Sequence, residues 1–134
     1  LMVKKQGEGF MSVRFANVLG SRGSVIPIWQ RQIDQGKPLS ITHPDMERYF
    51  MTIEEAVGLV IKAAEVGAGG EIFVLDMGKP VKIIALAKEI VGKLGRDIPL
   101  QEIGVRPGES MSEKLMFPEE EKIAIKQENF YVIR

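Results

Sequence analysis

The sequence predicts an α/β protein, and three observations carry that prediction. Apolar runs with strand character recur at Phe10–Leu19, Leu39–Thr42, Arg48–Met51, Ile72–Leu75 and Phe130–Ile133. Between them lie longer segments whose apolar residues repeat with the 3.6-residue period of a helix. Glycine and proline clusters mark the boundaries, and strands that alternate with helices form mixed layers. The 134 residues are 45% hydrophobic and 27% charged, the balance of an ordinary soluble globular domain. A chain of this length can bury a substantial core.

Each element has a local reason. Residues 1–9 read as the end of a helix followed by a Gly7-Glu8-Gly9 turn. In Phe10–Leu19, Met11, Val13 and Phe15 alternate with Ser12, Arg14 and Ala16, which predicts one strand, and Gly20–Gly23 follows as a loop. A helix is expected from Ser24, whose hydroxyl can cap an early amide, with Pro27 in the first turn. Ile26, Trp29 and Ile33 define its inner face, and Gly36 ends it. Leu39–Thr42 is a short strand, His43-Pro44-Asp45 a turn, and Arg48–Met51 a returning strand.

Thr52 and Glu55 stand at the spacing of a capping box. Ala56, Val57, Val60, Ile61 and Ala64 mark the face that the following helix is expected to bury, and Gly67 stops it. The continuous run Ile72–Leu75 predicts a strand covered on both sides. Ile83, Leu86, Ala87, Ile90 and Leu94 predict a helix that Gly95 closes. Ile98, Leu100 and Ile103 suggest a strand, Gly104–Glu109 a loop, Met111–Phe117 a short helix and 119–122 a solvated connector. Phe130–Ile133 reads as a final strand. The apolar strand at 10–19 has no neighbour before it, so the chain reads as the back half of a larger protein.

Several classes of function are excluded. The chain has no Cys, which removes disulfide scaffolds and cysteine-zinc sites. Its 18 basic and 18 acidic residues cancel, so no broad field draws it to nucleic acid. No apolar run approaches a membrane span, no signal pattern opens the chain, and the default compartment is the cytoplasm. The single His43 has no second His beside it, so no metal site is expected, and its place before a proline suits a structural role. Neither a glycine-rich dinucleotide fingerprint nor a P-loop is found.

Polar residues on loops remain. Asn17 sits in an apolar strand, where an amide is costly unless bonded. Arg48 stands beside Tyr49 and Phe50, and Arg106 and Glu109 flank a Pro-Gly turn. Two arginines in one cleft suit a diphosphate, and a glutamate suits sugar hydroxyls. Equally, Arg48 could pair with Asp45 or Glu47, Arg106 with Glu109, and Asn17 with a loop carbonyl. Spacing alone favours these plainer roles and leaves the function open.

Four segments carry a more specific signal: Val13–Pro27 (VRFANVLGSRGSVIP), Thr42–Thr52 (THPDMERYFMT), Gly70–Gly78 (GEIFVLDMG) and Arg106–Glu109 (RPGE). In this order they resemble the hallmark segments of CapD-type polysaccharide-biosynthesis proteins. These are UDP-N-acetylglucosamine 4,6-dehydratases and related nucleotide-sugar epimerases of the extended short-chain dehydrogenase/reductase superfamily. The resemblance implies the C-terminal substrate-binding subdomain of such an enzyme. Residues 1–23 would be the end of the NAD(P)-binding Rossmann domain, and 24–134 the nucleotide-sugar-binding domain. The cofactor fingerprint and the catalytic Tyr-x-x-x-Lys pair would lie outside this segment, leaving it inactive alone and without bound cofactor.

By that resemblance Asn17 would bond the diphosphate or sugar, Ser24 and Val25 would approach the diphosphate and uracil, and backbone groups of Ser40 and Thr42 would read the uracil edge. Arg48 and Arg106 would hold the diphosphate, Glu109 would hold the ribose, and Phe15 and Ala16 would border the nicotinamide. Ala16 stands where Gly is usual, and Ser110-Met111-Ser112 departs from the common continuation of the RPGE turn. The implied partner is a UDP-sugar, UDP-N-acetylglucosamine foremost. The alternatives are the same half of an epimerase, or a non-catalytic module in which strand 10–19 pairs with another copy.

Overall fold

The computed structural model describes residues 9–22 and 24–134. The helical end expected before Gly7 lies outside these residues, as does Gly23. The chain is α/β, as its patterning predicts. It forms two compact units, one from residues up to 16 with 51–78 and 114–134, the other from 17–50 with 79–113.

The first unit is built on a four-stranded sheet in the order β1 (Ser12–Arg14), β6 (Ile72–Leu75), β10 (Phe130–Ile133), β9 (Ile125–Lys126). Strand β1 runs parallel to β6, and β10 runs antiparallel to both β6 and β9. The patterning of β6 is confirmed, because all four of its residues are buried. Ile72, Val74 and Ile133 form one cluster, and Phe73 meets Phe130 with ring centroids 5.9 Å apart. Helix α2 (Ile53–Val66) packs on β1 and β6. Thr52 Oγ1 accepts from Glu55 N–H at 3.1 Å and Glu55 Oε2 accepts from Thr52 N–H at 2.7 Å, completing the expected capping box. Gly67 closes this helix in extended geometry, at φ −74° and ψ 143°. A Cβ there would collide with Met11 Sδ and Ala63 O.

The buried face of α2 corrects the sequence reading. Ala56, Leu59 and Ala63 face inward, whereas Val57, Val60 and Ile61 are exposed, Ile61 by 54%. The helix carries two apolar stripes, and the small side chains of Ala56 and Ala63 belong to the one that lies inside. Glu71 was not singled out from the sequence, yet it is only 5% exposed. Its carboxylate accepts from Ala68 N–H at 3.0 Å and Gly69 N–H at 2.7 Å. The Ala68 amide first, with help from Gly69, holds its pKa below the usual glutamate value.

The second unit contains α1 (Val25–Asp34), β3 (Leu39–Ile41), β4 (Glu47–Arg48), β7 (Val81–Lys82), α3 (Ile83–Leu94) and β8 (Leu100–Glu102). Trp29, Ile33, Leu39, Ile41, Met46, Ile83 and Ala87 make its core. Fully burying a large apolar side chain contributes roughly 1.5–3 kcal/mol. Trp29 also donates from Nε1 to Ser40 O at 2.8 Å. Gly95 caps α3 in the left-handed region at φ 62°, which a side chain would disfavour.

Four further expectations need correction. The strand at 10–19 is broken into β1 and β2 (Asn17–Val18), because the backbone changes partner: Ser12 N–H bonds Glu71 O, whereas Asn17 N–H bonds Tyr49 O. The strand at 48–51 does not return on 39–42. It is split into β4 and β5 (Phe50–Met51), β4 pairs antiparallel with β7, and β3 pairs parallel with β8. Met111–Phe117 forms no helix, since the Met111 carbonyl is committed to Glu47 N–H at 2.9 Å. The 119–122 connector instead contains a helical turn, α4 (Pro118–Glu121), where Glu120 Oε2 accepts from Phe117 N–H.

Candidate functional site

The second unit holds a cavity of about 230 Å³. Asn17, Ser24, Val25, Ser40, Thr42, Arg48, Arg106 and Glu109 all line it. Residues 17–25, 40–48 and 106–109 are distant in sequence, and the fold brings them to one place. Phe15 and Ala16 fall in the other unit, and Phe15 is exposed.

Local folding explains each position. Asn17 follows the break between β1 and β2, and its backbone N–H bonds Tyr49 O at 3.1 Å. Ser24 is the N-cap of α1 in extended geometry, but its side chain makes no cap bond. This corrects the expected cap. Its buried Oγ has no hydrogen-bond partner among the described residues. Val25 opens α1, so the positive end of that helix lies at the cavity wall. The Ser40 N–H donates to Gln32 Oε1 at 3.0 Å and its carbonyl accepts from Trp29. Thr42 follows β3, and its hydroxyl donates to Met46 Sδ at 3.2 Å.

The two arginines differ in their surroundings. The half-buried Arg48 donates to Glu47 O at 2.8 Å, Ser110 O at 2.7 Å and Met111 O at 3.3 Å. It also lies 3.6 Å from Glu109 Oε1 and 3.7 Å from Glu113 Oε1. Arg48 therefore braces the 109–113 segment. Asp45, one of its candidate partners, instead approaches Lys82 at 3.7 Å. Arg106 is exposed, and its guanidinium has no protein partner among the described residues. Its backbone N–H donates to Glu109 Oε2 at 3.3 Å, which closes the Arg106–Glu109 turn with Gly108 at φ 80°.

Ile28, Met46, Phe50, Ile83 and Ile103 supply apolar lining that was not assigned to the site from sequence. Their signal was submerged in the helix and strand periodicities. Glu113 was also missed. Its Oε2 accepts from Asn17 Nδ2 at 3.0 Å, and its place four residues after Glu109 was the available clue. His43 Nδ1 accepts from Asp45 N–H at 3.0 Å, holding the turn. The cavity lining joins a cation and a hydroxyl without partners among the described residues, a helix N-terminus and apolar side chains. It suits an anion attached to an apolar or aromatic body.

The chain is 56% identical over 110 residues to the capsular polysaccharide biosynthesis protein CapD of Staphylococcus aureus, covering 80% of this chain and 18% of that protein. The structure resembles Pen from Bacillus thuringiensis, with a TM-score of 0.87 and 38% identity, covering 92% of this chain and 38% of that one. It also resembles a UDP-N-acetylglucosamine 4-epimerase from Methanobrevibacter ruminantium M1 solved with UDP-N-acetylmuramic acid. There the TM-score is 0.67 at 25% identity, over 87% of this chain and 40% of that one. The fold is thus that of part of an extended short-chain dehydrogenase/reductase, and the chain spans between about a fifth and two fifths of these relatives. Among the described residues, no helix is long and apolar enough to cross a membrane. With a family match that runs over residues 2–134, the chain belongs to the family of polysaccharide biosynthesis proteins.

Proposed function

We propose that this chain is the UDP-sugar-binding portion of a nucleotide-sugar 4,6-dehydratase of surface polysaccharide synthesis. The observation that carries the reading is the Ser24 hydroxyl beside the start of α1, in the same cavity as the Arg106 guanidinium, both without a partner among the described residues. Both supply what a diphosphate needs, and a buried hydroxyl left without a bond costs about 1–3 kcal/mol until a ligand satisfies it. Arg106 would hold the diphosphate by a guanidinium fork, Glu109 would accept from ribose hydroxyls, and Thr42 with Val25 would border the base. Arg48 would contribute charge to the diphosphate while bracing the loop that carries Glu109.

The 134 residues contain neither a glycine-rich dinucleotide fingerprint nor a Tyr-x-x-x-Lys pair. The cofactor chemistry is therefore assigned to the rest of the longer enzymes, one of which, a dTDP-glucose 4,6-dehydratase from Streptomyces venezuelae, was solved with NAD bound. NAD(P) would supply the removal and return of a hydride. The residues here bind and orient the sugar nucleotide, which governs catalysis because reacting atoms must be held in near-attack geometry. An epimerase is the second reading, favoured by the 41% identity to a UDP-glucose 4-epimerase of Rickettsia bellii.

Calorimetric titration with UDP and UDP-N-acetylglucosamine tests the proposal. Binding is expected for both and should weaken at least tenfold in Arg106→Ala, about 1.4 kcal/mol. Absence of binding by the native chain at millimolar ligand, or an Arg106→Ala affinity equal to native, refutes it.

A further inference from the structure

We propose that Glu113 is a positioning residue: it turns the Asn17 carboxamide so that its carbonyl oxygen, and not its amino group, is offered to the ligand. Asn17 Nδ2 donates to Glu113 Oε2 at 3.0 Å and to Tyr49 O at 3.1 Å. A carboxamide nitrogen carries two hydrogens, so its donating capacity is spent. Rotating the amide by half a turn would aim Oδ1 at two acceptors. The Tyr49 carbonyl cannot easily yield, because it also accepts from the Asn17 backbone N–H at 3.1 Å. Glu113 is held in turn, with Oε1 3.7 Å from Arg48 Nε, and Arg48 is anchored on the carbonyls of Glu47 and Ser110. Two acceptors on one side of the amide fix its orientation from hydrogen-bond logic alone.

The consequence is chemical. Among the described residues Asn17 Oδ1 receives no hydrogen bond, and Asn17 lines the cavity. A carbonyl oxygen pairs with a hydroxyl or an amide N–H and repels phosphate oxygens. Resting on the sugar-nucleotide reading above, this assigns Asn17 to a donor on the sugar and leaves the diphosphate to Arg106, Ser24 and the start of α1. Glu113 then contributes to discrimination between a sugar nucleotide and the bare nucleotide without touching either.

The test uses isotope-labelled chain and its Glu113→Ala and Glu113→Gln variants. The Asn17 side-chain amide resonances, assigned by their loss in Asn17→Asp, should shift and exchange faster in Glu113→Ala. They should stay near native in Glu113→Gln, whose side-chain oxygen still accepts. In titrations, Glu113→Ala should weaken UDP-N-acetylglucosamine about tenfold and UDP by less than about twofold, and Glu113→Gln should restore most of the difference. Unmoved Asn17 resonances in Glu113→Ala, equal losses for the two ligands, or tighter binding by Glu113→Ala each overturn the assignment. A native chain that binds neither ligand overturns the functional reading instead, and the Asn17 resonances still decide the role of Glu113.

Discussion

Replacing Ser24 by Ala should raise the stability of the ligand-free protein while weakening its grip on UDP. An N-cap serine normally contributes about 1 kcal/mol through its bond to an early helix amide. That bond is missing here, so its loss costs nothing. What the substitution removes is a buried hydroxyl with no partner among the described residues, a burden of about 1–3 kcal/mol. Part of that gain is offset by the small void left behind, so a net stabilisation of about 1 kcal/mol is expected, near 3 °C in Tm for a chain of this size. Urea denaturation followed by Trp29 reports it directly, because the single tryptophan is buried in the same unit. Calorimetry with UDP should show Kd rising about five- to tenfold, the loss of one hydrogen bond. If Ser24→Ala destabilises the protein by the ordinary 1 kcal/mol of a lost cap, the hydroxyl is satisfied in solution and cannot be waiting for a ligand.

Other outcomes follow from the same geometry. Arg48→Ala should cost about 1–3 kcal/mol of stability by urea denaturation, since it strips donors from the Glu47 and Ser110 carbonyls, whereas Arg106→Ala should stay within about 0.5 kcal/mol of native. Equal losses in the two variants would contradict the different roles given to these side chains. Glu71→Ala should cost on the order of 2–4 kcal/mol by leaving the Ala68 and Gly69 amides unpaired. The pKa of Glu71 is depressed in the folded state, so its contribution is complete above the unfolded glutamate value and fades as pH falls through the folded one. A denaturation series from neutral to acid pH should therefore show the native–Glu71→Gln difference shrinking toward low pH, and a constant gap would count against this account. Ile61→Lys, on the exposed stripe of α2, should change stability by less than about 0.5 kcal/mol; a loss above 2 kcal/mol would place that stripe inside the fold.

Elements with a strong local cause were legible in the sequence. The Thr52 and Glu55 capping box, the Gly95 stop and the four-residue apolar run of β6 all formed where spacing put them. What failed depended on partners far away in the chain. Whether α2 buries Leu59 or Ile61 is decided by β1 and β6, because the helix carries apolar residues on both stripes. The pairing of β3 with β8 joins Leu39 to Leu100, a choice that the nearby strand at 48–51 concealed. The site residues were named through their resemblance to known sequences, and periodicity alone left each with a plainer role. Those plainer roles were partly real. Asn17 does bond a loop carbonyl, and Arg48 does sit near acids, though at Glu109 and Glu113 instead of Asp45. Glu71 and Glu113 escaped notice because a carboxylate just after a glycine pair, or in a charged loop, looks solvated until its amide donors are located.

The polypeptide passes from one unit to the other after Ala16, after Phe50, after Gly78 and after Glu113. A genetic crossover anywhere between these points would hand each daughter chain mismatched pieces of both units. Cutting after Glu113 would delete both Ile125–Lys126 and Phe130–Ile133, and so strip Ile72–Leu75 of one neighbour and leave a two-stranded remnant of the sheet. Swapping sugar preference among relatives by recombination would therefore part strands such as Ser12–Arg14 and Ile72–Leu75 from each other, whereas point substitution at Asn17 or Glu113 leaves the weave of the chain intact.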